Sequence, residues 1–200
     1  ARGLEAENLR CNMAQLQARK NAVVEQLRGG IASLMKANKV TVIQGSASIV
    51  DSGRVRVEPD GTELETEYIL IATGSTPAVP PIPGADLPGV VTSDELLDCD
   101  KLPQSLVIIG GGVIGMEFAS VFSALGCRVT VVEALERILA NMDKEISQNL
   151  KMIMKKSGVD IHAAAMVQEI AADPEGGLIC PYTEKDKPAQ AQGELVLIAT

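Results

Sequence analysis

Residues 105–133 read SLVIIGGGVIGMEFASVFSALGCRVTVVE. The apolar run Leu106-Val107-Ile108-Ile109 has the composition that a strand buried on both faces requires. Gly110, Gly112 and Gly115 follow in the order G-x-G-x-x-G. A helical pattern then runs from Val113 to Leu125, a second apolar strand from Val129 to Val132, and Glu133 stands 23 residues beyond Gly110. A ribose-binding acid is expected about 20 residues on.

Strand, glycines, helix, strand and acid arrive in order, and each glycine has a task. Gly110 makes the tight turn, Gly112 lets a pyrophosphate approach the backbone, and Gly115 lets the helix pack against the strand. The free N–H groups and positive dipole end of the helix bind the pyrophosphate. Glu133 accepts hydrogen bonds from both ribose hydroxyls, and its charge repels a 2′-phosphate. The stretch therefore reads as a dinucleotide site that takes NAD rather than NADP. The expected fold is α/β: a Rossmann-like domain of parallel sheet with an antiparallel meander.

The rest of the composition narrows the class. Of 200 residues 46% are apolar but only 2% aromatic, so the core must be aliphatic. A net charge of −8 without a basic stripe argues against nucleic acid or an anionic membrane as partner. No apolar run reaches membrane-spanning length and no secretory signal is read, which gives a cytoplasmic or equivalent reducing compartment as the expectation. Cys11, Cys99, Cys127 and Cys180 are too scattered for a C-x-x-C motif and read as incidental or buried thiols, with no metal expected. The single histidine, His162, has no nucleophile pattern around it and reads as a core or surface residue.

Before the glycine stretch, Asn12 and Gln15 resemble a capping box. A long helix follows to Asn38, with Leu16, Val23, Leu27, Ile31 and Leu34 at helical spacing. Short strands are then expected at Val40–Ile43, 47–50, 55–57 and 64–66, separated by turn clusters, and a buried strand at Tyr68–Ile71. Six of the ten prolines fall in residues 75–103, a stiff connection taken as the domain boundary, with a short helix from Thr92 that points Leu96 and Leu97 inward. Beyond Glu133, Asp143 caps a helix expected to bury Ile146, Leu150, Ile153 and Met154. Val159–Ile161 is a third parallel strand. Met166–Ile170 and Leu178–Cys180 are arms about a turn at Asp173–Gly177, residues 183–193 a polar loop, and Leu195–Ile198 a buried strand.

EYILIAT at 67–73 and ELVLIAT at 194–200 repeat E-x-x-L-I-A-T in the same context. That points to two related dinucleotide folds, of which only the second has its glycine loop, and so to an excerpt of a longer chain. Residues 1–100 are accordingly read as part of a first domain and 101–200 as the second, cut short at its end.

Together these segments resemble the two-dinucleotide flavoprotein disulfide reductases, with the dihydrolipoamide dehydrogenases nearest. The likeness rests on Leu27-Arg28-Gly29-Gly30, Val40–Gly45, Ala72-Thr73-Gly74-Ser75, Leu87–Val90 with Ser93-Asp94, Gly110–Glu117 and Val131–Glu133. It implies that FAD carries electrons between NAD and a redox disulfide, making the first domain an incomplete FAD-binding portion. Thr73 and Gly74 match the segment that closes over FAD, and Gly45 to Ala47 a segment near its adenine. Val113, Ile114 and Val167 join the NAD set. Glu117 matches a glutamate beside nicotinamide and flavin, although a solvated acid in a first helical turn explains it equally well. The family's redox cysteine pair, FAD pyrophosphate loop and C-terminal dimerisation domain have no counterpart here, so the excerpt alone is expected to be inactive. In a complete protein the resemblance implies a homodimer and lipoyl domains of 2-oxo acid dehydrogenase complexes as partners. Mercuric, glutathione or coenzyme A disulfide reductases, a transhydrogenase, and a non-catalytic NAD-binding module stay open.

Overall fold

The computed structural model describes residues 10–200. The Asn12 side chain accepts the Gln15 amide at 3.1 Å and opens helix α1 (Met13–Ala37), as its capping pattern predicts. The helix passes unbroken through Gly29 and Gly30, but Leu16, Val23, Leu27, Ile31 and Leu34 remain exposed. An antiparallel meander follows: β1 (Ser46–Asp51), β2 (Arg54–Glu58) and β3 (Thr62–Glu65), paired in that order. Arg56 and Glu63 form a 2.7 Å ion pair across β2 and β3.

Two expected strands are absent. Val40–Ile43 and Tyr68–Ile71 have irregular backbones, and Leu70 is 91% exposed. Among the described residues neither segment has a strand beside it. An apolar run becomes a buried strand only where a neighbouring ladder takes its N–H and C=O groups.

Beyond Pro77 the chain forms β4 (Val90–Val91), α2 (Ser93–Leu97), β5 (Ser105–Ile109), α3 (Val113–Ala124), β6 (Arg128–Glu133), α4 (Lys144–Lys156) and β7 (Asp160–Ala163). Then come β8 (Ala165–Val167), β9 (Ala171–Ala172), β10 (Leu178–Glu184), β11 (Lys187–Gly193) and β12 (Leu195–Ile198). Backbone contacts divide the chain into two compact units, one of Ala18–Thr76 and the other holding Pro77–Thr200.

The second unit is built on a parallel sheet of order β4-β12-β5-β6-β7. Alternate residues of each strand serve opposite faces. Leu106, Ile108, Val129, Val131 and Leu197 pack under Met116, Ala119 and Phe122 of α3 and Met154 of α4. Val107, Val132, Val196 and Ile198 pack on Cys180, Tyr182 and Ala191 of a second, antiparallel sheet of order β11-β10-β8, with β9 also on β10. Both faces of β5 are covered, as its composition requires.

Several local expectations need correction. The segment 183–193 is no loop: β10 continues to Glu184 and turns through Lys185-Asp186 into β11. Both turn residues have positive φ (51° and 61°), the geometry of a two-residue hairpin. The polar residues Gln190 and Gln192 hid an edge strand in which only Ala191 and Gly193 are buried. Leu96 is buried but Leu97 is exposed, since a helix of five residues offers only one inward side. On α4, Ile146 and Ile153 face solvent, and the inward ridge is Ser147, Leu150 and Met154 at i, i+3 and i+7.

Asp143 caps α4 by accepting the Glu145 amide at 2.7 Å, and Lys155 and Lys156 lie in its last turn. Replacing Asp143 by Ala should cost about 1 kcal/mol, read from urea unfolding, whereas Asp143→Asn should cost a small fraction of that. Equal losses in both variants would mean that the cap contributes through charge and not through its hydrogen bond.

Candidate functional site

The strand order fixes where a site can form. From β5 the chain steps through β6 and β7 toward one edge, while β12 and β4 lie on the other side of β5. The crevice outside the carboxyl ends of β5 and β12 is thus the switch point of the sheet, the place where open α/β sheets bind ligands. A cavity of about 550 Å³ lies there. Its walls include Gly110–Val113 after β5, Glu133 at the end of β6, Leu139–Asn141, Ala165–Val167 of β8, and Thr200 after β12.

The three motif glycines answer to three different constraints. Gly110 has φ +111°, and a Cβ there would run into the Ala199 carbonyl. A Cβ on Gly115 would overlap the Gly110 carbonyl, so α3 can lie this close to β5 only without one. Around Gly112 the space is open, with nothing within 4 Å of an added Cβ. Gly112 is the N-cap of α3 and supplies no side-chain cap. The first-turn N–H groups of Val113, Ile114 and Gly115 have no acceptor within the helix. An uncapped N-terminus of a 12-residue helix beside an open approach is suited to an anion.

Glu133 is 8% exposed, with its carboxylate beside this loop. One oxygen accepts the Gly111 N–H at 2.5 Å and the other the Leu135 N–H at 2.6 Å. Each oxygen keeps a further lone pair, so the group can still accept hydroxyl protons. The cavity brings together Gly110, Gly112, Val113, Glu133 and Val167 of the expected set. Ile114 is half exposed on the outer side of the turn, and Glu117 is exposed in the second turn of α3, past the first turn expected for it; neither lines the cavity. Sequence reasoning missed Gly111 and Leu139–Asn141. The run of three glycines was the available sign for Gly111, because a Cβ there would come within 2.7 Å of Ile138 and 3.1 Å of Glu133.

Gly45, Ala47, Thr73 and Gly74 belong to the other unit. A Cβ on Gly45 would overlap the Glu58 carbonyl and Val57, so glycine is needed there for packing. Gly74 has φ +75° in an irregular exposed segment. A groove on that unit is lined by residues such as Ile31, Met35, Val40 and Val42, and by none of the four.

His162 places Nδ1 2.9 Å from Glu184 Oε2 and Nε2 3.0 Å from Asp160 Oδ2, with its ring 5.1 Å from that of Tyr182. It thereby ties β7 to β10 and stands apart from the cavity lining. No disulfide joins any of the four cysteines, and the described residues contain no group of side chains able to hold a metal ion. Burial pushes the Cys127 thiol up to about 11 and the Cys180 thiol up to about 12. At pH 8 both remain protonated, and a disulfide reagent should label Cys11 at once but Cys127 and Cys180 only after unfolding. Gly115→Ala should lower the urea midpoint by an amount equivalent to about 1–3 kcal/mol through overpacking. Gly112→Ala should cost less than about 1 kcal/mol, since its Cβ meets only open space and merely weakens a cap.

A family model described as "Pyridine nucleotide-disulphide oxidoreductase" matches residues 3–200. The dihydrolipoyl dehydrogenase of Acholeplasma laidlawii is 38% identical over 190 residues, covering 93% of this chain and 54% of that protein. A dihydrolipoyl dehydrogenase of Bacillus subtilis (strain 168) is 39% identical over 197 residues, covering 92% of this chain and 41% of that one. Among solved structures, the HOCl-induced flavoprotein disulfide reductase RclA from Escherichia coli superposes with a TM-score of 0.79 at 37% identity. That match covers 93% of this chain and 42% of RclA. The chain thus spans about half, or less, of the length of the relatives it matches. Proteins of this kind use FAD and NAD. On its sequence and its fold, the chain belongs to the pyridine nucleotide-disulphide oxidoreductase family.

Proposed function

We propose that this chain is the NAD-binding portion, with part of the FAD-binding portion, of a dihydrolipoamide dehydrogenase that passes electrons between a dithiol–disulfide pair and NAD. The observation that carries the nucleotide assignment is the Glu133 carboxylate, seated in the cavity beside the uncapped start of α3. An acid there accepts the ribose hydroxyls and repels a 2′-phosphate. Residues 101–200 form the NAD side and residues 1–100 belong to the FAD side, with Val90–Val91 lending an edge strand to the NAD side's sheet.

The residues divide the work. Amides of Gly112, Val113, Ile114 and Gly115 hold the pyrophosphate, Gly110 and Gly115 keep the turn tight enough to present them, and Val167 flanks the nucleotide. Glu117 lies on the same helix one turn further along, toward the nicotinamide end. Gly45, Ala47, Thr73 and Gly74 contribute to the flavin side. When bound, FAD supplies the relay between the dithiol and the nicotinamide, while the protein orients and shields the reacting groups. The complete protein acts as a homodimer in the cytoplasm and takes lipoyl domains as its substrates. Among the described residues no helix is long and apolar enough to cross a membrane. A second reading, another disulfide reductase of the family, draws support from the likeness to RclA.

Calorimetry with NADH and NADPH tests the assignment. The unmodified chain should bind NADH in preference to NADPH, and Glu133→Arg should weaken NADH at least about tenfold, equivalent to roughly 1.4 kcal/mol. Preference for NADPH by the unmodified chain, or equal affinity for both, would remove the role given to Glu133. Failure to bind either nucleotide would leave the glycine loop with a packing role alone.

A further inference from the structure

The segment after Glu133, Ala134-Leu135-Glu136-Arg137-Ile138-Leu139-Ala140-Asn141-Met142, has one cation and no glycine. Leu139 nevertheless takes φ +48°, a left-handed conformation that side chains other than glycine rarely adopt. Such a residue persists only where its surroundings over-determine it. Here they do. The Leu139 N–H donates to the Gly111 carbonyl at 2.8 Å, and the Met142 N–H to the Leu139 carbonyl at 2.9 Å. From α4, the buried Ser147 hydroxyl donates to the Ile138 carbonyl at 2.6 Å. The remaining hold comes from Arg137, whose Nη2 donates to the carbonyls of Ala140 at 2.8 Å and Met142 at 3.2 Å.

Leu139, Ala140 and Asn141 form a wall of the cavity, and Arg137 is not itself in its lining. Gly111 joins this wall to the proposed ribose acid: its carbonyl takes the Leu139 N–H while its own N–H is on Glu133. The wall therefore stands next to the adenosine ribose in any nucleotide that Glu133 binds. A hydrogen bond from an ionised donor is roughly twice as strong as a neutral one, so Arg137 is a firm clasp on two carbonyls of one short loop.

We propose that Arg137 is a positioning residue of the dinucleotide site. Its guanidinium holds Leu139–Asn141 as the wall for the adenosine end of the nucleotide, and through that commitment it is withheld from a 2′-phosphate. The inference rests on the nucleotide reading given above. It adds a second element to cofactor choice: besides the repelling acid at 133, the one cation of the loop is turned to backbone carbonyls.

The test uses the full 200-residue chain and its Arg137→Met and Arg137→Lys variants, with ADP-ribose as the probe. Calorimetry gives the affinity, and amide hydrogen exchange reports on the loop. Arg137→Met should weaken ADP-ribose about tenfold, the scale of one lost charge-assisted hydrogen bond, and Arg137→Lys should recover part of that loss. Exchange should speed up at the Leu139 and Met142 amides and stay slow at Val107 and Ile108 in the central strand. Unchanged affinity in Arg137→Met would overturn the proposal alone, provided the unmodified chain binds. Faster exchange at Val107 and Ile108 as well, in both variants, would overturn it in favour of a general stabilising role. If the unmodified chain does not bind ADP-ribose, the nucleotide reading falls, and the proposal with it.

Discussion

The rest of the second unit depends on a close approach: the backbone of α3 at Gly115 lies over the carbonyl of Gly110 at the end of β5. No side chain fits between them. Because the helix begins so near the sheet, its uncapped N-terminus opens onto the crevice at the strand ends. The same turn brings Gly111 against Glu133 at the end of the adjacent strand. Moving α3 outward by the width of a methyl group would carry the first-turn amides away from the cavity and break the Gly111–Glu133 contact. Packing and the shape of the cavity are here one constraint. That is why Gly115 lies outside the cavity lining and still governs its shape.

Glu133 extends the constraint to the neighbouring loop. Its two oxygens accept amides from opposite sides, Gly111 in the glycine loop and Leu135 in the segment after β6. The carboxylate is therefore fixed in direction before any ligand arrives. Pre-organisation of this kind lowers the ordering cost of binding. It also means that a substitution at 133 removes a structural junction as well as a charge.

The parts legible from sequence were those whose pattern has a single structural solution. Leu106–Ile109 could only be a strand covered on both faces, and it is. The glycine spacing with Glu133 pointed to the turn that lines the cavity, because sterics at Gly110 and Gly115 permit no other residue. The cap at Asp143 and the stop at Gly158, with φ +87°, followed from local chemistry. What stayed hidden depends on contacts distant in sequence. Ile146 and Ile153 look like core residues, but α4 is turned to put Ser147 on the Ile138 carbonyl. Leu139 has no sequence feature that announces a left-handed backbone, since the forces on it come from Gly111, Arg137 and Ser147 together. Gln190 and Gln192 made an edge strand look like a loop because its outer side has no hydrophobic task.

The repeated heptapeptides show how far a local pattern can go. ELVLIAT ends in β12, where Val196 and Leu197 are fully buried between β4 and β5. EYILIAT shares five of its seven residues in sequence and yet leaves Tyr68, Leu70 and Ile71 exposed on an irregular backbone. Intrinsic β-propensity is nearly the same for both, so propensity does not separate them. The difference is a ladder on each side of one segment and none beside the other among the described residues. Burying a side chain of this size contributes roughly 1.5–3 kcal/mol, and a strand must also find partners for its backbone polar groups. An apolar run of this kind states a requirement for neighbours. Whether it is a strand is decided by the residues that meet the requirement, and at Leu195–Ile198 those residues are Val90–Val91 and Leu106–Ile109.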